Sequence, residues 1–367
     1  MKVCFLNNDL SSNTGSGRFF LSFSSALKKA ESHYQYEILT SDNLLSGGFL
    51  RIIFRLFKIR SVFKSCDIVH ALDGWPYGVI AAVFSLGLGK KIVITTIGTG
   101  AVQPLYQPIK KQLLIWAYRK ADQITAISNN TKREILRVIP DLKIEVINHG
   151  VDFDKYQISN IPEAEQARYG AGKYQSDAKV QKLKPYILSV GTLKKRKGYE
   201  YSIKVFAQIA PKFPDLKYVI VGSGPEYQNL KSQISHLKLQ DRVIFLKDLS
   251  EEELVGLYKN AELFILLPQD INKDIEGFGL VFLEAAACGL PIVSSRGTSA
   301  EDAVLDGENG TLVSPSDHLE AADAMEKILS DSMLRESFSR ESLNFARTMD
   351  WQKVVQNYIS IYKQLII

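Results

Sequence analysis

The sequence has few cysteines and no long apolar run. Its three cysteines, Cys4, Cys66 and Cys288, stand far apart along 367 residues, so neither a disulfide framework nor a zinc site is indicated. No stretch reaches the roughly 18 uninterrupted apolar residues of a membrane-spanning helix. The first residues are typical of a strand and include no basic leader followed by an apolar segment. We therefore expect a cytoplasmic protein without a signal peptide.

Length and composition indicate two ordinary globular domains. A chain of 367 residues is about twice the usual single-domain size, and 46% apolar with 23% charged residues is a common globular composition. The net charge of +5 is unevenly divided. Residues 1–156 hold 20 Lys and Arg against 12 Asp and Glu, whereas the remainder holds 25 against 28. The first half is therefore the half to search for an anionic partner.

Short runs rich in Val and Ile alternate with helix-like segments in two blocks. The first block contains KVCFLN, DIVHAL, KIVITTIG, QITAIS and KIEVINHG, and the second contains YILSVG, KYVIVGSG, RVIFLKDL, AELFILLP, PIVSS and GTLVSP. This alternation predicts βαβ units and parallel sheets. The predicted fold class is α/β, with two doubly wound Rossmann-like domains that face a central cleft.

The two blocks also predict the domain boundaries. We expect an N-terminal domain over residues 1–155, a linker over 156–184 and a C-terminal domain over 185–347. A polar stretch without clear periodicity, which includes Pro162, indicates the linker. Residues 348–367 are expected to form a last helix that packs back on the N-terminal domain.

The most informative segment is EGFGLVFLEAAACGLPIV, which begins at Glu276. From Gly279 onward it predicts an apolar helix, which Gly289 and Pro291 end. The glycine-rich loop before that helix can offer backbone N–H groups and a partial positive charge to a phosphate. Glu284, within the helix, can accept hydrogen bonds from ribose hydroxyls, and Glu276 can do the same for sugar hydroxyls.

Two glutamates with seven residues between them, in this setting, resemble the signature of retaining glycosyltransferase family four, whose fold is GT-B. The likeness extends through the segments KRKG, VGSGPE, RGTSAED, DGENG and INHGVD. The resemblance implies transfer of a sugar from a nucleotide-diphosphate sugar to an acceptor hydroxyl, in glycan, glycolipid or surface polysaccharide synthesis. It makes 185–347 the donor-binding domain and 1–155 the acceptor-side domain.

The resemblance also assigns roles to single residues. Glu276 orients the sugar, and Lys197 stabilises the departing diphosphate, so these two are the expected catalytic residues. No protein nucleophile is evident in the sequence. The residues expected to bind the donor are Glu284, Arg196, Thr192, Gly15, Gly17, Gly222, Gly224, Phe278, Gly279 and Leu280.

This chain departs from the family pattern at two positions. The family often has Arg where this chain has Thr192, so Arg196 is a candidate to replace that phosphate cation. The family commonly has a histidine near the transferred sugar at about the position of Ile97. A backbone carbonyl, Thr96 or Thr99 could take that role here, or the chemistry could proceed without a side chain at this place.

Two glycine-rich turns belong to the expected donor site. Gly15 and Gly17 precede a helix and resemble the family loop that approaches donor phosphate or acceptor, although a purely structural turn is an almost equal alternative. Gly222 and Gly224 resemble a dinucleotide fingerprint, but the third glycine and its acidic partner are missing. We interpret this second turn as a wall of the base pocket.

The expected partners are a nucleotide-sugar donor and a glycan or lipid-linked acceptor. Asp152 and Asp154 imitate the metal-binding acidic pair of the other glycosyltransferase fold, but they lie at the start of the linker, outside any matching context. We therefore expect no metal, no cofactor and no nucleic acid. His149 ends the last strand of the first block, where a packed histidine is a more common arrangement than a ligand contact.

Residues 47–64 predict a basic amphipathic helix. Phe49, Ile52, Ile53, Leu56, Ile59 and Phe63 form one apolar stripe, and the segment contains five basic residues and no acidic one. One interpretation is a helix that faces the core. The other is peripheral docking on an anionic membrane at the inner face of the plasma membrane, assisted by Lys110, Lys111, Arg119 and Lys120.

Other functions share parts of this pattern. A sugar-nucleotide epimerase has the same paired domains, and a phosphorylase of this fold would be longer and would need a pyridoxal-binding lysine. An NAD-dependent oxidoreductase would need complete glycine fingerprints. A nucleotide-sugar-binding protein without catalytic activity is a further alternative, because Ile97 and Thr192 stand where the family commonly has a histidine and an arginine.

Overall fold

The structure, a computed structural model, describes residues 1–11, 14–41, 58–157 and 182–366. By their internal contacts the residues fall into two compact units. Unit 1 comprises Met1–Gly150, Lys273–Phe278 and Trp351–Ile367, and unit 2 comprises Val151–Asn272 and Gly279–Asp350. Most of the expected linker, residues 158–181, lies outside the described residues.

Unit 1 is built on a parallel sheet in which six described strands have the order β2-β1-β3-β4-β5-β6. The strands are β1 Lys2–Asn7, β2 Gln35–Thr40, β3 Ile68–Leu72, β4 Lys91–Thr96, β5 Gln123–Ala126 and β6 Glu145–Val146. The helices are α1 Gly15–Ala30, α2 Val79–Phe84, α3 Thr99–Val102, α4 Pro108–Lys120, α5 Asn129–Leu136 and, near the end of the chain, α13 Trp351–Ile366. Shorter helical turns cover Gly74–Gly78 and Gln103–Tyr106.

Unit 2 repeats this architecture with the strand order β12-β11-β10-β7-β8-β9. The strands are β7 Tyr186–Val190, β8 Lys217–Val221, β9 Val243–Leu246, β10 Leu263–Leu266, β11 Ile292–Ser295 and β12 Gly310–Val313. The helices are α6 Phe153–Gln157, α7 Tyr199–Ile209, α8 Tyr227–His236, α9 Glu251–Asn260, α10 Leu280–Ala287, α11 His318–Ser330 and α12 Ser332–Thr348. Shorter turns cover Lys195–Lys197 and Ser299–Asp302.

Local sequence accounts for where these elements begin. All residues of β3, β7 and β10 are buried, as near-continuous apolar strands are when helices cover both faces of a sheet. Several helices begin at a residue whose side chain accepts a backbone N–H, as Thr14 does for α1 and Ser128 for α5. Ser250 and Glu253 form a reciprocal capping box at the start of α9. The predicted α/β class with doubly wound parallel sheets is confirmed.

The strand order reverses once in each sheet. In unit 1, β1 lies between β2 and β3, and in unit 2, β7 lies between β8 and β10. At such a reversal the connections leave in opposite directions and open a crevice outside the carboxyl ends of the two strands, where α/β sheets bind ligands. The turns after β1 and β3, and after β7 and β10, are therefore the places to examine for function.

The last helix, α13, is held on the sheet of unit 1 by a buried histidine. The two ring nitrogens of His70 lie 2.6 Å from the hydroxyl of Tyr362 and 2.7 Å from that of Thr95. Phe23 of α1 also packs edge-on against the ring of Tyr358 on α13. Burial lowers the pKa of His70 to about 3. The folded chain therefore needs this ring to be neutral.

We expect His70→Gln to reduce the acid sensitivity of unit 1. The pKa of a histidine is about 6.5 in the unfolded chain. Because the pKa of His70 is lower in the folded chain, protons bind preferentially to the unfolded chain below about pH 6.5. The free energy of unfolding then falls by about 1.4 kcal/mol for each pH unit. At about pH 7.5 the free energy of unfolding of the variant should be about 1–3 kcal/mol lower than that of wild type, because two hydroxyl contacts are disturbed. Between about pH 7.5 and about pH 5.5 it should lose about 1.4 kcal/mol less than wild type.

Urea unfolding followed by tryptophan fluorescence measures this difference, because all three tryptophans, Trp75, Trp116 and Trp351, belong to unit 1. His33→Gln is the control, since His33 is exposed. Equal acid-induced losses in wild type and His70→Gln would show that His70 is not the titrating group.

Candidate functional site

The turn after β7 holds a buried cation. Lys197 ends the helical turn Lys195–Lys197, and its side chain is almost fully buried, with 7% exposure. A β-carbon built on Gly191, the first residue after β7, would lie 3.6 Å from Nζ of Lys197. The ammonium group therefore lies over the carboxyl end of β7, beside the reversal in strand order. Thr192 and Lys194 are exposed, and Arg196 is partly buried.

Backbone contacts join this turn to the one that follows β10. The N–H of Gln269 donates to the carbonyl oxygen of Arg196 at 2.7 Å. Gly198 has φ +70°, and a β-carbon there would collide with the carbonyl oxygen of Leu267 at 1.7 Å. The segment that carries Lys197 is thus fixed against the neighbouring strand end.

Glu284 lies inside the helix that follows β10. It is 2% exposed, and Oε2 accepts a hydrogen bond from the hydroxyl of Tyr258, which is fully buried, at 2.8 Å. Burial of a carboxylate is costly unless hydrogen bonds compensate it. The bond orients the side chain and uses part of its capacity, because a carboxylate can accept about four hydrogen bonds.

The helix α10 begins without a side-chain cap. Its N-cap is Gly279, with φ 84° and ψ 65°, and no side-chain hydrogen bond closes this end in the described structure. Leu280 is the first helical residue, one position after the start that the sequence predicts. A helix start of this kind presents backbone N–H groups and a partial positive charge.

The turn after β8 packs directly on the turn after β7. The N–H of Leu193 donates to the carbonyl of Ser223 at 2.9 Å. A β-carbon on Gly222 would lie 2.0 Å from the carbonyl oxygen of Gly191, and one on Gly224 would lie 2.6 Å from that of Leu193. Close backbone packing by itself therefore explains both glycines, with no ligand required.

The segment Lys273–Phe278 belongs to unit 1, whereas Glu284 belongs to unit 2. Thr99 donates to Oδ1 of Asp274 at 2.9 Å, and Ile275 is part of the apolar core of unit 1. Glu276, between these anchors and Phe278, is 7% exposed. The ring of Phe278 lies 5.9 Å from that of His149. The sequence does not predict that the two glutamates of one motif fall in different units.

The loop after β4 begins at Ile97, the position at which the sequence resemblance leads us to expect a histidine. A β-carbon on Gly277 would lie 2.2 Å from the carbonyl oxygen of Ile97, so this loop contacts the backbone beside Glu276. Thr96 donates its hydroxyl proton to the carbonyl of Thr125 at 3.0 Å, and Thr99 donates to Asp274. Both hydroxyl protons therefore have acceptors within the protein.

The glycine turn before α1 is organised by a carboxylate. Oδ1 of Asp9 accepts the N–H of Ser11 at 2.8 Å and the hydroxyl of Thr14 at 2.7 Å. Burial by itself would raise the pKa of Asp9, but these hydrogen bonds outweigh it and lower the pKa. A negative charge thus lies beside Gly15 and Gly17, which favours a hydroxyl group over a phosphate as the ligand of this turn.

Asp73, which sequence reasoning missed, lies directly after β3. It has φ 140° and ψ 160°, a strained conformation for a residue with a side chain. Oδ1 accepts the N–H of Gly74 at 2.8 Å, and a β-carbon on Gly100 would lie 2.0 Å from Oδ2. Burial raises the pKa of Asp73 to about 7, although hydrogen bonds from the backbone of Gly74 and Ile97 lower it. The signal in the sequence that could have found it is its position directly after the strand-like run DIVHAL.

The remaining expectations concern a metal and His149. Within the described residues, no three His, Cys, Asp or Glu side chains form a group that could hold a metal ion, and Asp152 and Asp154 are exposed. His149 is 3% exposed and packs against Phe19 and Trp351, with ring centroids 4.9 Å away in each case. Burial lowers the pKa of His149 to about 3, which is typical of a packed neutral ring.

Two family models match the chain. One, described as Glycosyl transferases group 1, matches residues 173–345, and the other, described as Glycosyltransferase Family 4, matches residues 17–155. Together they extend over most of both units.

Named relatives agree with the two models. The GDP-mannose-dependent alpha-(1-6)-phosphatidylinositol monomannoside mannosyltransferase of Mycolicibacterium smegmatis is 29% identical over 272 residues, which cover 71% of this chain and 68% of that protein. The N-acetyl-alpha-D-glucosaminyl L-malate synthase of Bacillus anthracis is 25% identical over 309 residues, 83% of this chain and 76% of the relative.

The fold is shared with a solved structure. Anabaena Alr3699/HepE, crystallised in complex with UDP, has a TM-score of 0.78 to this chain at 19% identity, with 99% of this chain and 100% of that chain covered. This shared architecture shows the GT-B fold. The two matching models and the named relatives show that the chain belongs to glycosyltransferase family four and is a glycosyltransferase.

Proposed function

We propose that this glycosyltransferase takes a sugar from a nucleoside diphosphate donor and transfers it to an acceptor hydroxyl with retention of configuration. The observation that carries the proposal is the pair of buried charges, Lys197 and Glu284, on the segments that follow adjacent strands β7 and β10. Burial of a cation and a carboxylate at a strand-order reversal is costly for folding alone, and it suits a ligand with a diphosphate and a ribose.

The main requirement of this reaction is that the leaving group is stabilised. A nucleophilic side chain of the protein is less important. As the bond from sugar to diphosphate breaks, negative charge grows on the diphosphate and positive charge on the sugar. Lys197 and the uncapped start of α10 would offset the charge on the diphosphate without a metal ion. Glu284 would hold the ribose, and Glu276 would orient the transferred sugar. Retention is inferred from membership of the family.

Relatives support a nucleoside diphosphate but differ in the base. The Anabaena protein was crystallised with UDP, whereas the mycobacterial relative is named for GDP-mannose. Their acceptors also differ, since one name specifies a phosphatidylinositol mannoside and another specifies malate. We propose a glycan or lipid-linked acceptor, in glycolipid or polysaccharide synthesis.

Asp73 is proposed to bind the acceptor in unit 1. Asp73 directly follows β3 at the strand-order reversal. The turn that carries it is joined to the turn after β1, because the hydroxyl of Tyr77 donates to Oδ1 of Asn8 at 3.0 Å. A carboxyl group with a pKa near 7 accepts a hydroxyl hydrogen bond best after it ionises. Asp9 lies on the turn after β1 and would add a second acceptor.

Docking on an anionic membrane remains a prediction. Of the segment expected to carry it, residues 47–57 lie outside the described residues. In the described part, Ile59 and Phe63 are buried in the core of unit 1, which supports the core-facing interpretation for these two side chains. None of the described helices is long and apolar enough to cross a membrane.

A thermal-shift panel tests the proposed function. The purified chain, in excess chelator, should be stabilised by UDP, GDP or ADP or one of their sugars, and left unchanged by NAD. A ligand at about 100 times its Kd adds about 2.7 kcal/mol to the free energy of unfolding. Stabilisation by NAD would favour the oxidoreductase alternative. A response that appears only after a divalent cation is added would contradict metal independence.

Lys197→Ala should slow sugar transfer on the order of 100-fold, because one preorganised positive charge is removed from the leaving group. The rate of nucleoside diphosphate release measures the effect with the donor that the panel identifies. Lys194→Ala is the matched control, since Lys194 precedes the same turn and is exposed. Equal rates in the two variants would refute the assignment.

Asp73→Asn should raise the KM for the acceptor and leave the KM for the donor unchanged. In wild type, kcat/KM for a hexoside acceptor should rise with pH through about 7, as the carboxyl group ionises. This step should vanish in the variant. Asp141→Asn, at an exposed aspartate of unit 1, is the control. An unchanged acceptor KM together with a retained pH step would exclude the role.

A further inference from the structure

A long stretch of unit 1 contains no acidic residue. From Gly74 to Ala121 there is no Asp or Glu, whereas Lys90, Lys91, Lys110, Lys111, Arg119 and Lys120 are present. The ion pairs that this stretch makes with described residues are Lys91 with Asp122 at 3.3 Å and Arg119 with Asp141 at 3.4 Å. These two ion pairs offset two of the six positive charges, and the other four give the stretch its net positive charge.

The same stretch exposes aliphatic side chains on two neighbouring helices. Ile109 is 80% exposed and Leu113 41% exposed, and their spacing of four residues places them on one face of α4. The opposite face of α4 buries Leu114, Ala117 and Tyr118. On or just after α2, which packs against α4, Val83 is 38% exposed and Leu86 49% exposed.

Single exposed aliphatic residues are common on protein surfaces, but contiguous groups indicate an interaction site. We define the α2–α4 face as Val83, Leu86, Ile109, Leu113 and the lysines at 110, 111 and 120. Lys110 lies over the ring of Trp75, 5.4 Å from its centroid, so the positive charge lies beside an aromatic side chain. Aliphatic, aromatic and cationic groups together suit the boundary between lipid headgroups and acyl chains.

The helical residues 58–64 extend the positive surface. Nη1 of Arg60 donates to the carbonyl of Phe84 at 3.2 Å, so this segment lies against the end of α2. Its exposed residues include Lys58 and Lys64. Unit 2 offers a contrast, because its exposed Leu319 lies on α11, which also carries Glu320, Asp323 and Glu326.

We propose that the α2–α4 face docks unit 1 on an anionic lipid bilayer. Ile109 and Leu113, with Val83 and Leu86, enter the headgroup region, and the lysines contact acidic headgroups. This surface differs from the apolar stripe of residues 47–64, of which Ile59 and Phe63 are in the core. Its use for a lipid-linked acceptor rests on the proposed function, but bilayer binding does not.

Co-sedimentation of the full chain tests the proposal with two kinds of vesicle, phosphatidylcholine alone and phosphatidylcholine mixed with phosphatidylglycerol. Wild type should sediment with the anionic vesicles at low salt, less at high salt, and not with the neutral ones, because salt screens the attraction. Two double variants should each weaken binding at least about tenfold. One combines Ile109→Ser with Leu113→Ser, and the other combines Lys111→Ser with Lys120→Ser.

Controls separate this surface from others. Leu319→Ser with Met333→Ser, on unit 2, should bind the anionic vesicles like wild type. The nucleotide thermal shift should be unchanged in every variant, so loss of docking and loss of the proposed function are distinguishable. The proposal is overturned if wild type does not sediment with anionic vesicles. It is also overturned if the variant with both Ile109→Ser and Leu113→Ser binds them as well as wild type does. It is also overturned if Arg51→Ser with Arg55→Ser abolishes binding while the α4 variants do not.

Discussion

The reversal of strand order in each parallel sheet determines where this chain can bind a ligand. Parallel strands need crossover connections, and where successive connections leave in opposite directions the carboxyl ends of two adjacent strands are left open. In unit 2 these strands are β7 and β10, and the turns after them are bonded to each other through Arg196 and Gln269. Lys197 lies in the turn after β7, and Glu284 lies in the helix that follows β10, so both buried charges are on segments that follow these two strands.

Burial of these two charges raises the free energy of the folded state. Glu284 is held by Tyr258, and Lys197 is held over Gly191 by the packing of its turn. Substitution of a buried charge by a packed apolar side chain is often neutral or stabilising. A requirement for a charged ligand gives a physical reason to retain both, as in other sites with preorganised electrostatics.

Much of this could be predicted from the sequence, because the strong signals are local. Val-rich runs gave the parallel strands, and the apolar run closed by Gly289 gave α10. Other features depend on tertiary packing. No local pattern indicates that Lys273–Phe278 joins unit 1, or that Gly222 and Gly224 are required by the backbone of the neighbouring turn. Asp73 is one aspartate after a strand in the sequence, and its strained backbone and raised pKa arise only from its surroundings.

We propose that unit 2 binds a nucleoside diphosphate through Lys197 and Glu284. A crystal structure of the chain with the nucleoside diphosphate that stabilises it most is the most direct measurement. We expect a diphosphate oxygen within about 3 Å of Nζ of Lys197, and the ribose hydroxyls within the same distance of the carboxylate of Glu284. A nucleotide bound elsewhere, or one whose ribose contacts neither oxygen of Glu284, would contradict it.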